Sequence, residues 1–190
     1  RALTFIPWAL SGVLTAVLWS IMFNQHFGVL NDLLAKLGII KEPIAWLANT
    51  KFVLGSVIVA ELWRGIPFFA ISLLAAMQGL PDDIYEAARV DGSTKLQTFR
   101  FITLPMLKNT IVLTTLLRTI WEFNSVDLIY SLTGGGPVGK TTTLSMLIAN
   151  QAIKTSNYGY GSALSVVSFA ILAVIAVIYM KLSGFGKEEA

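Results

Sequence analysis

Polar and apolar residues are strongly segregated along this chain. Residues 2–30 contain no Asp, Glu, Lys or Arg, and within them residues 3–23 supply an apolar run of the ~20 residues that cross a bilayer as a helix. Three further apolar stretches follow. The second, residues 52–77, is interrupted only by Glu61, Arg64 and Pro67; the third, residues 109–132, carries Arg118, Glu122 and Asp127; the fourth, residues 162–182, is uncharged before Lys181. The pattern predicts an all-α transmembrane bundle with four spanning helices, 3–23, 52–77, 109–132 and 162–182, and both chain ends on one side. Residues 24–51 and 133–161 become loops on one face, and residues 80–108 a loop on the other. Within the first loop Val29 to Gly38 reads as a short amphipathic helix ending at a glycine.

Composition agrees with the pattern. The 190 residues are 55% hydrophobic and only 13% charged, against roughly 25% charged in a soluble domain, and the mean hydropathy is +0.69. A net charge of +3 spread along the chain gives no nucleic-acid footprint, one histidine leaves no histidine metal site or triad, and the absence of cysteine removes thiol chemistry and thiolate metal centres. The chain opens on Arg1, which suggests a fragment lacking earlier segments. Seven Lys/Arg fall on the side of the 80–108 loop, counting Arg1, Lys181 and Lys187, and five on the other, at Lys36, Lys41, Lys51, Lys140 and Lys154. The excess places the 80–108 loop and the C-terminus in the cytoplasm.

Residues 81–108 concentrate eight charges, four of each sign. Pro81 and the carboxylates of Asp82, Asp83 and Glu86 suit a helix N-terminus, Arg89 its last turn and Gly92 its stop. Thr94 followed by Gln97 predicts a capped second helix, and Leu104-Pro105 marks where that helix bends or ends.

The spacing Glu86-Ala87-Ala88, three residues, Gly92, nine residues, Ile102, one residue, Leu104-Pro105 resembles the EAA loop of binding-protein-dependent ABC importer permeases. Gly28 to Gly38, the Leu132-Thr133-Gly134-Gly135-Gly136-Pro137 segment followed by Thr142-Thr143-Leu144, and Gly159 to Leu164 are similar to outer segments and the last-helix entry of the sugar-type permeases, so the resemblance covers essentially the whole chain. The Gly-Gly-Gly-Pro segment resembles the maltose-transporter type of first permease. The resemblance implies a type I importer half-channel in a prokaryotic inner membrane, whose members usually carry one or two more N-terminal helices. Glu86, Ala87, Ala88, Asp91 and Gly92 would couple it to two separate ATPase subunits, which bind the ATP and magnesium. This chain would bind no cofactor or metal and catalyse no reaction. Its partners would be a second permease subunit, the ATPases, an external solute-binding protein, lipid and a sugar substrate, with no nucleic acid.

Charges inside spans cost roughly 2.5–3.5 kcal/mol each on insertion scales, so they face a cavity or a partner. Glu61, Arg64, Gly65 and Phe68 fall at i, i+3, i+4 and i+7 of the second span, and Arg118, Trp121, Glu122 and Ser125 at the same offsets in the third. Each set is one helical face. The resemblance implies that these two faces line the sugar pathway, with hydroxyls held by the charged groups and ring faces by Phe68 and Trp121; the alternative is an intramembrane ion-pair cluster that holds helices together. Asp127, nearer the outer end, is expected at a gate or surface, and His26 in an interfacial loop. Three other functions stay open: a permease for a polyol phosphate or other non-sugar solute, which Arg64 and Arg118 would suit; an ion-driven secondary transporter; and a membrane-bound P-loop NTPase, because Gly134 to Thr141 satisfies G-x-x-x-x-G-K-[ST] with Lys140 at the lysine position. That last motif needs a strand before it and a helix after it, a context the surrounding pattern does not predict.

Overall fold

The computed structural model of the chain describes residues 2–184, and among these every regular element is helical. Arg1 and Lys187, used in the charge count above, and the end of the C-terminal tail lie outside the described residues. In order the helices are α1 (Ala2–Ala9), α2 (Gly12–Met22), α3 (Val29–Lys36), α4 (Val53–Gln78), α5 (Asp82–Val90), α6 (Lys95–Thr98), α7 (Leu104–Met106), α8 (Lys108–Asn124), α9 (Asp127–Thr133), α10 (Leu144–Ala149) and α11 (Tyr158–Ser183). Two π-helical turns interrupt them, Phe99–Thr103 before α7 and Asn150–Lys154 after α10.

Two of the apolar stretches form single helices of 26 residues, α4 and α11, long and apolar enough to cross a membrane. The other two differ from the continuous helices expected. Residues 3–23 break at Leu10–Ser11, because Ser11 adopts an extended conformation and its side chain accepts from the Leu14 amide, capping α2 afresh. Residues 109–132 break at Ser125–Val126, where Ser125 is extended and its hydroxyl turns to the Asp127 carboxylate. The interruption expected at Leu104-Pro105 also moves: the π turn carries the chain through Thr103, Pro105 sits inside α7, and the turn comes at Leu107. Pro105 lacks an amide hydrogen, and it follows directly on the π turn, closed by the Leu104 amide on the Phe99 carbonyl, where the helical ladder already shifts register.

Packing is inverted relative to a water-soluble helical protein. The inward stripe of α2 is Gly12, Thr15, Ala16 and Trp19, and that of α4 includes Ser56, Ala60 and Gly65, while Val13, Leu14, Val17, Leu18, Leu54, Ile58, Leu62 and Ile66 point outward. Small residues let backbones approach and the aliphatics face outward, as suits a lipid solvent. Helix α4 packs against α1, α2, α8 and α9, and α8 against α11. A core of Ala16, Trp19, Phe23, Val57, Ala60, Leu128 and Leu132 joins α2, α4 and α9, with Trp46 and Leu30 of the 24–51 segment closing it at one end.

That segment is held by Asn31. Its amide donates to the Ile44 carbonyl at 2.9 Å and the Gln25 carbonyl at 3.1 Å, and its side-chain oxygen accepts from the Ile44 amide at 3.1 Å and from Trp46 Nε1 at 2.9 Å. The side chain's donors and acceptor are satisfied in a buried position, so one residue of α3 fixes the following loop against the core.

Candidate functional site

The loop between α4 and α8 is built on its caps. Asp82 and Asp83 lie in the first turn of α5 and Arg89 in its last, and the helix stops where Gly92 takes φ of 74°, with the Ser93 amide bonded back to the Ala88 carbonyl. Thr94 and Gln97 form the expected capping box of α6. Helix α5 turns Glu86 outward, its side chain 69% exposed and 3.7 Å from Arg89. Ala87 and Asp91 are also exposed, whereas Ala88 is buried against the rest of the loop. Tyr85 hydrogen-bonds Thr103 at 3.1 Å, tying α5 to the π turn that leads through α7 into α8. Neither residue stood out in the sequence, since the contact joins positions 18 residues apart.

The two charged faces pack against each other. Glu61 Oε2 lies 3.5 Å from Arg64 Nε and 3.9 Å from Arg118 Nη2, and Arg118 is also paired with Glu122. Arg64 continues the chain to Asp127 at 3.7 Å and donates to Ser125 Oγ at 3.5 Å. Asp127, expected at a gate or surface, is exposed and also joins the cluster, because the break at 125–126 swings α9 back over Gly12, whose missing side chain leaves the space its carboxylate fills. Pairs at about 4 Å gain roughly 4 kcal/mol of Coulomb energy in an effective dielectric near 20, largely offset by desolvation. Three carboxylates meet two guanidiniums, so each arginine has acidic partners of its own.

Gly65 gives Arg118 its seat: a Cβ built there would stand 2.6 Å from Nη2. Phe68 lies between Trp8 and Trp121, with ring centroids 6.4 and 5.0 Å away. Beside this packed seam is a cavity of about 550 Å³ lined by Arg118, Glu122, Thr115, Thr119, Phe69, Phe123, Thr143 and Leu144. Of the eight pathway candidates, only Arg118 and Glu122 reach it; Glu61, Arg64, Gly65, Phe68, Trp121 and Ser125 lie in or beside the seam. The residues missed, Thr115 and Thr119, share a helical face with Arg118 and Glu122. Threonine in an apolar helix is unremarkable by composition, so only the spacing could have flagged them.

The loop at Gly134 to Thr141 has none of the surroundings of a phosphate site. It follows helix α9, not a strand, and Gly134 closes that helix with φ of 60°. Thr141, at the position that would face magnesium, is buried and hydrogen-bonded to Thr133 and the Gly136 carbonyl. The next helix, α10, starts only at Leu144, capped by Thr143.

The sequence model of the binding-protein-dependent transport system inner membrane component matches residues 1–184, and the chain belongs to that family. It is 37% identical over 188 residues to the trehalose/maltose transport system permease protein MalF of Thermococcus litoralis, covering 99% of this chain and 63% of that protein. It is also 37% identical over 182 residues to the sulfoquinovosyl glycerol transport system permease protein SmoG of Agrobacterium fabrum, covering 96% and 58% respectively. The chain thus spans about three fifths of these relatives' length. Among solved structures it is similar to a bacterial ABC transporter that imports the acidic polysaccharide alginate, with a TM-score of 0.81 and 23% identity over 96% of this chain and 64% of that one. The alginate transporter in complex with a pentasaccharide-bound periplasmic protein gives a TM-score of 0.84 at 24% identity, with the same coverage. The fold is that of an ABC importer permease.

Proposed function

We propose that this chain is a membrane-spanning permease subunit of an ATP-driven, binding-protein-dependent importer of carbohydrate. The observation that carries the reading is the direct covalent and hydrogen-bonded route from an exposed helix to a cavity walled by Arg118 and Glu122. Helix α5 presents Glu86 to solvent, Tyr85 ties it to the π turn before α7, and α8 then carries Arg118 and Glu122 to the cavity wall. A push on α5 from a separate ATPase subunit reaches the cavity through the Tyr85–Thr103 hydrogen bond and the continuous run of α7 into α8. Its relatives, permeases for trehalose and maltose and for sulfoquinovosyl glycerol, support a carbohydrate as the solute.

In this reading residues 80–108 and the C-terminal end face the cytoplasm, and residues 24–51 and 133–161 face outward toward a solute-binding protein. Glu86, Ala87, Asp91 and Gly92 form the coupling surface, with Ala88 packed behind them against the rest of the loop, and ATP and magnesium belong to two ATPase subunits. A second permease subunit packs beside this one and completes the channel. The broken helices of residues 3–23 and 109–132 lie within the membrane, and the second permease subunit covers the break at Ser11, which this chain by itself leaves exposed.

The test is the ATPase activity of the full complex, containing the complete chain, in proteoliposomes with its binding protein and a panel of sugars. Stimulation by a sugar, accompanied by its uptake and lost in Glu86→Ala, is the expected result. Stimulation only by polyol phosphates would replace the substrate assignment, and uptake that survives removal of ATP under a proton gradient would replace the importer class.

A further inference from the structure

We infer that the cavity beside α8 selects uncharged, hydroxyl-rich solutes and rejects anionic ones; this rests on the carbohydrate reading above and narrows it. The starting point is what the two arginines are doing. In an anion site a guanidinium must have charge to spare, since it carries the compensating charge for the ligand. Here each arginine already faces two carboxylates: Arg118 has Glu122 and Glu61, and Arg64 has Glu61 and Asp127. The side chain of Glu122 is 32% exposed and that of Arg118 only 13%, so at the cavity wall the carboxylate is more open than its partner.

The Thr119 hydroxyl points the same way: it donates its proton to the Thr115 carbonyl at 2.8 Å, leaving its oxygen able only to accept. Thr143 Oγ1 receives the Met146 amide and keeps its own proton, the donor that a sugar oxygen would meet. The open polar capacity supplied by Glu122 and Thr119 is thus acceptor capacity, and a matching solute must bring donors. A neutral saccharide brings many O–H donors, and its C–H faces suit the rings of Phe69 and Phe123. A phosphate, sulfonate or uronate brings acceptors and negative charge to a wall whose open charged group is the Glu122 carboxylate and whose arginines are already paired, and in a site of reduced dielectric that repulsion is weakly screened.

The experiment uses the assembled importer with the full chain in nanodiscs, titrated by calorimetry with neutral trisaccharides (maltotriose, cellotriose, raffinose), with trigalacturonate as the acidic counterpart, and with glycerol 3-phosphate. At least one neutral trisaccharide is expected to bind ten-fold or more tightly than trigalacturonate. Glu122→Gln should shrink that gap several-fold, and Thr119→Val should weaken the neutral ligand several-fold without changing the acidic one; the second variant serves if the first does not assemble. Trigalacturonate binding as tightly as every neutral trisaccharide overturns the inference and leaves the carbohydrate reading intact. Binding of glycerol 3-phosphate with no saccharide of either kind overturns both.

Discussion

The Arg118 guanidinium rests on the bare backbone of Gly65, so closely that a methyl group added there would stand 2.6 Å from Nη2. Ten residues earlier on the same helix, a methyl group at Gly55 would meet nothing within 4 Å. Gly65→Ala is therefore expected to push Arg118 off Glu61 and Glu122 and to lower transport several-fold. Gly55→Ala should leave transport unchanged and hold or raise stability by up to about 1 kcal/mol through helix propensity. Paired uptake and thermal-unfolding measurements on the two variants check the contrast; equal effects would show that the seat at Gly65 is unimportant.

Gly12 plays the corresponding part for Asp127. A side chain at Gly12 would overlap the Asp127 carboxylate, which can rotate away only by leaving Arg64. Gly12→Ala and Asp127→Asn should each lower the melting temperature of the complex, by roughly 1–3 kcal/mol in stability. Because both remove the same contact, the double variant should lose clearly less than the sum. Strict additivity would argue that α2 and α9 are held only by the apolar core.

Asn31 is the most exposed to failure by substitution. Leucine of similar volume would leave the Ile44 amide and carbonyl, the Gln25 carbonyl and Trp46 Nε1 without their partner. Each buried group so orphaned costs about 1–3 kcal/mol where water cannot enter. Asn31→Leu is expected to open residues 24–51 to protease at their outer face while α4 and α11 stay protected. Limited proteolysis of the wild type and variant in membranes reads this directly, and an unchanged digestion pattern counts against the role given to Asn31.

Tyr85→Phe removes only the hydroxyl that meets Thr103. Its cost in stability should be modest, about 0.5–1.5 kcal/mol, but the route from α5 to α8 loosens. The expected signature is a lower ratio of solute moved to ATP hydrolysed, with Thr103→Val giving the same ratio and the double variant no further change. If both variants keep the wild-type ratio, the hydrogen bond has no part in coupling.

Lys140→Ala should affect neither nucleotide binding nor transport. Lys140 is exposed on a loop whose neighbouring hydroxyls are already committed to the backbone. Photo-crosslinking of the purified chain with an azido-ATP analogue, compared between wild type and variant, checks this; labelling that depends on Lys140 would restore the nucleotide-site alternative.

Much of this architecture could be read before any coordinates. Apolar runs without charge announce helices in lipid whatever their partners, because burying a backbone there requires internal hydrogen bonding. The caps at Pro81, Gly92 and Thr94 act within a few residues, so α5 and α6 follow from local chemistry. The breaks at Ser11 and Ser125 carry local signals too, but an isolated serine in an apolar run signals too weakly to outweigh twenty residues of continuity.

Pairing is a different matter. Sequence spacing placed Glu61 and Arg64 on one helical face and Arg118 and Glu122 on another, and established that four charges inside an apolar bundle need partners. Which groups meet depends on how α4, α8 and α9 cross, and that is decided by glycines at contact points and by aromatics many positions away. Gly65 admits Arg118, Gly12 admits Asp127, and Phe68 meets Trp121 only once the helices are packed. Helical periodicity is a property of one chain segment and is written in its residues; the distance between two segments is a property of the packed whole.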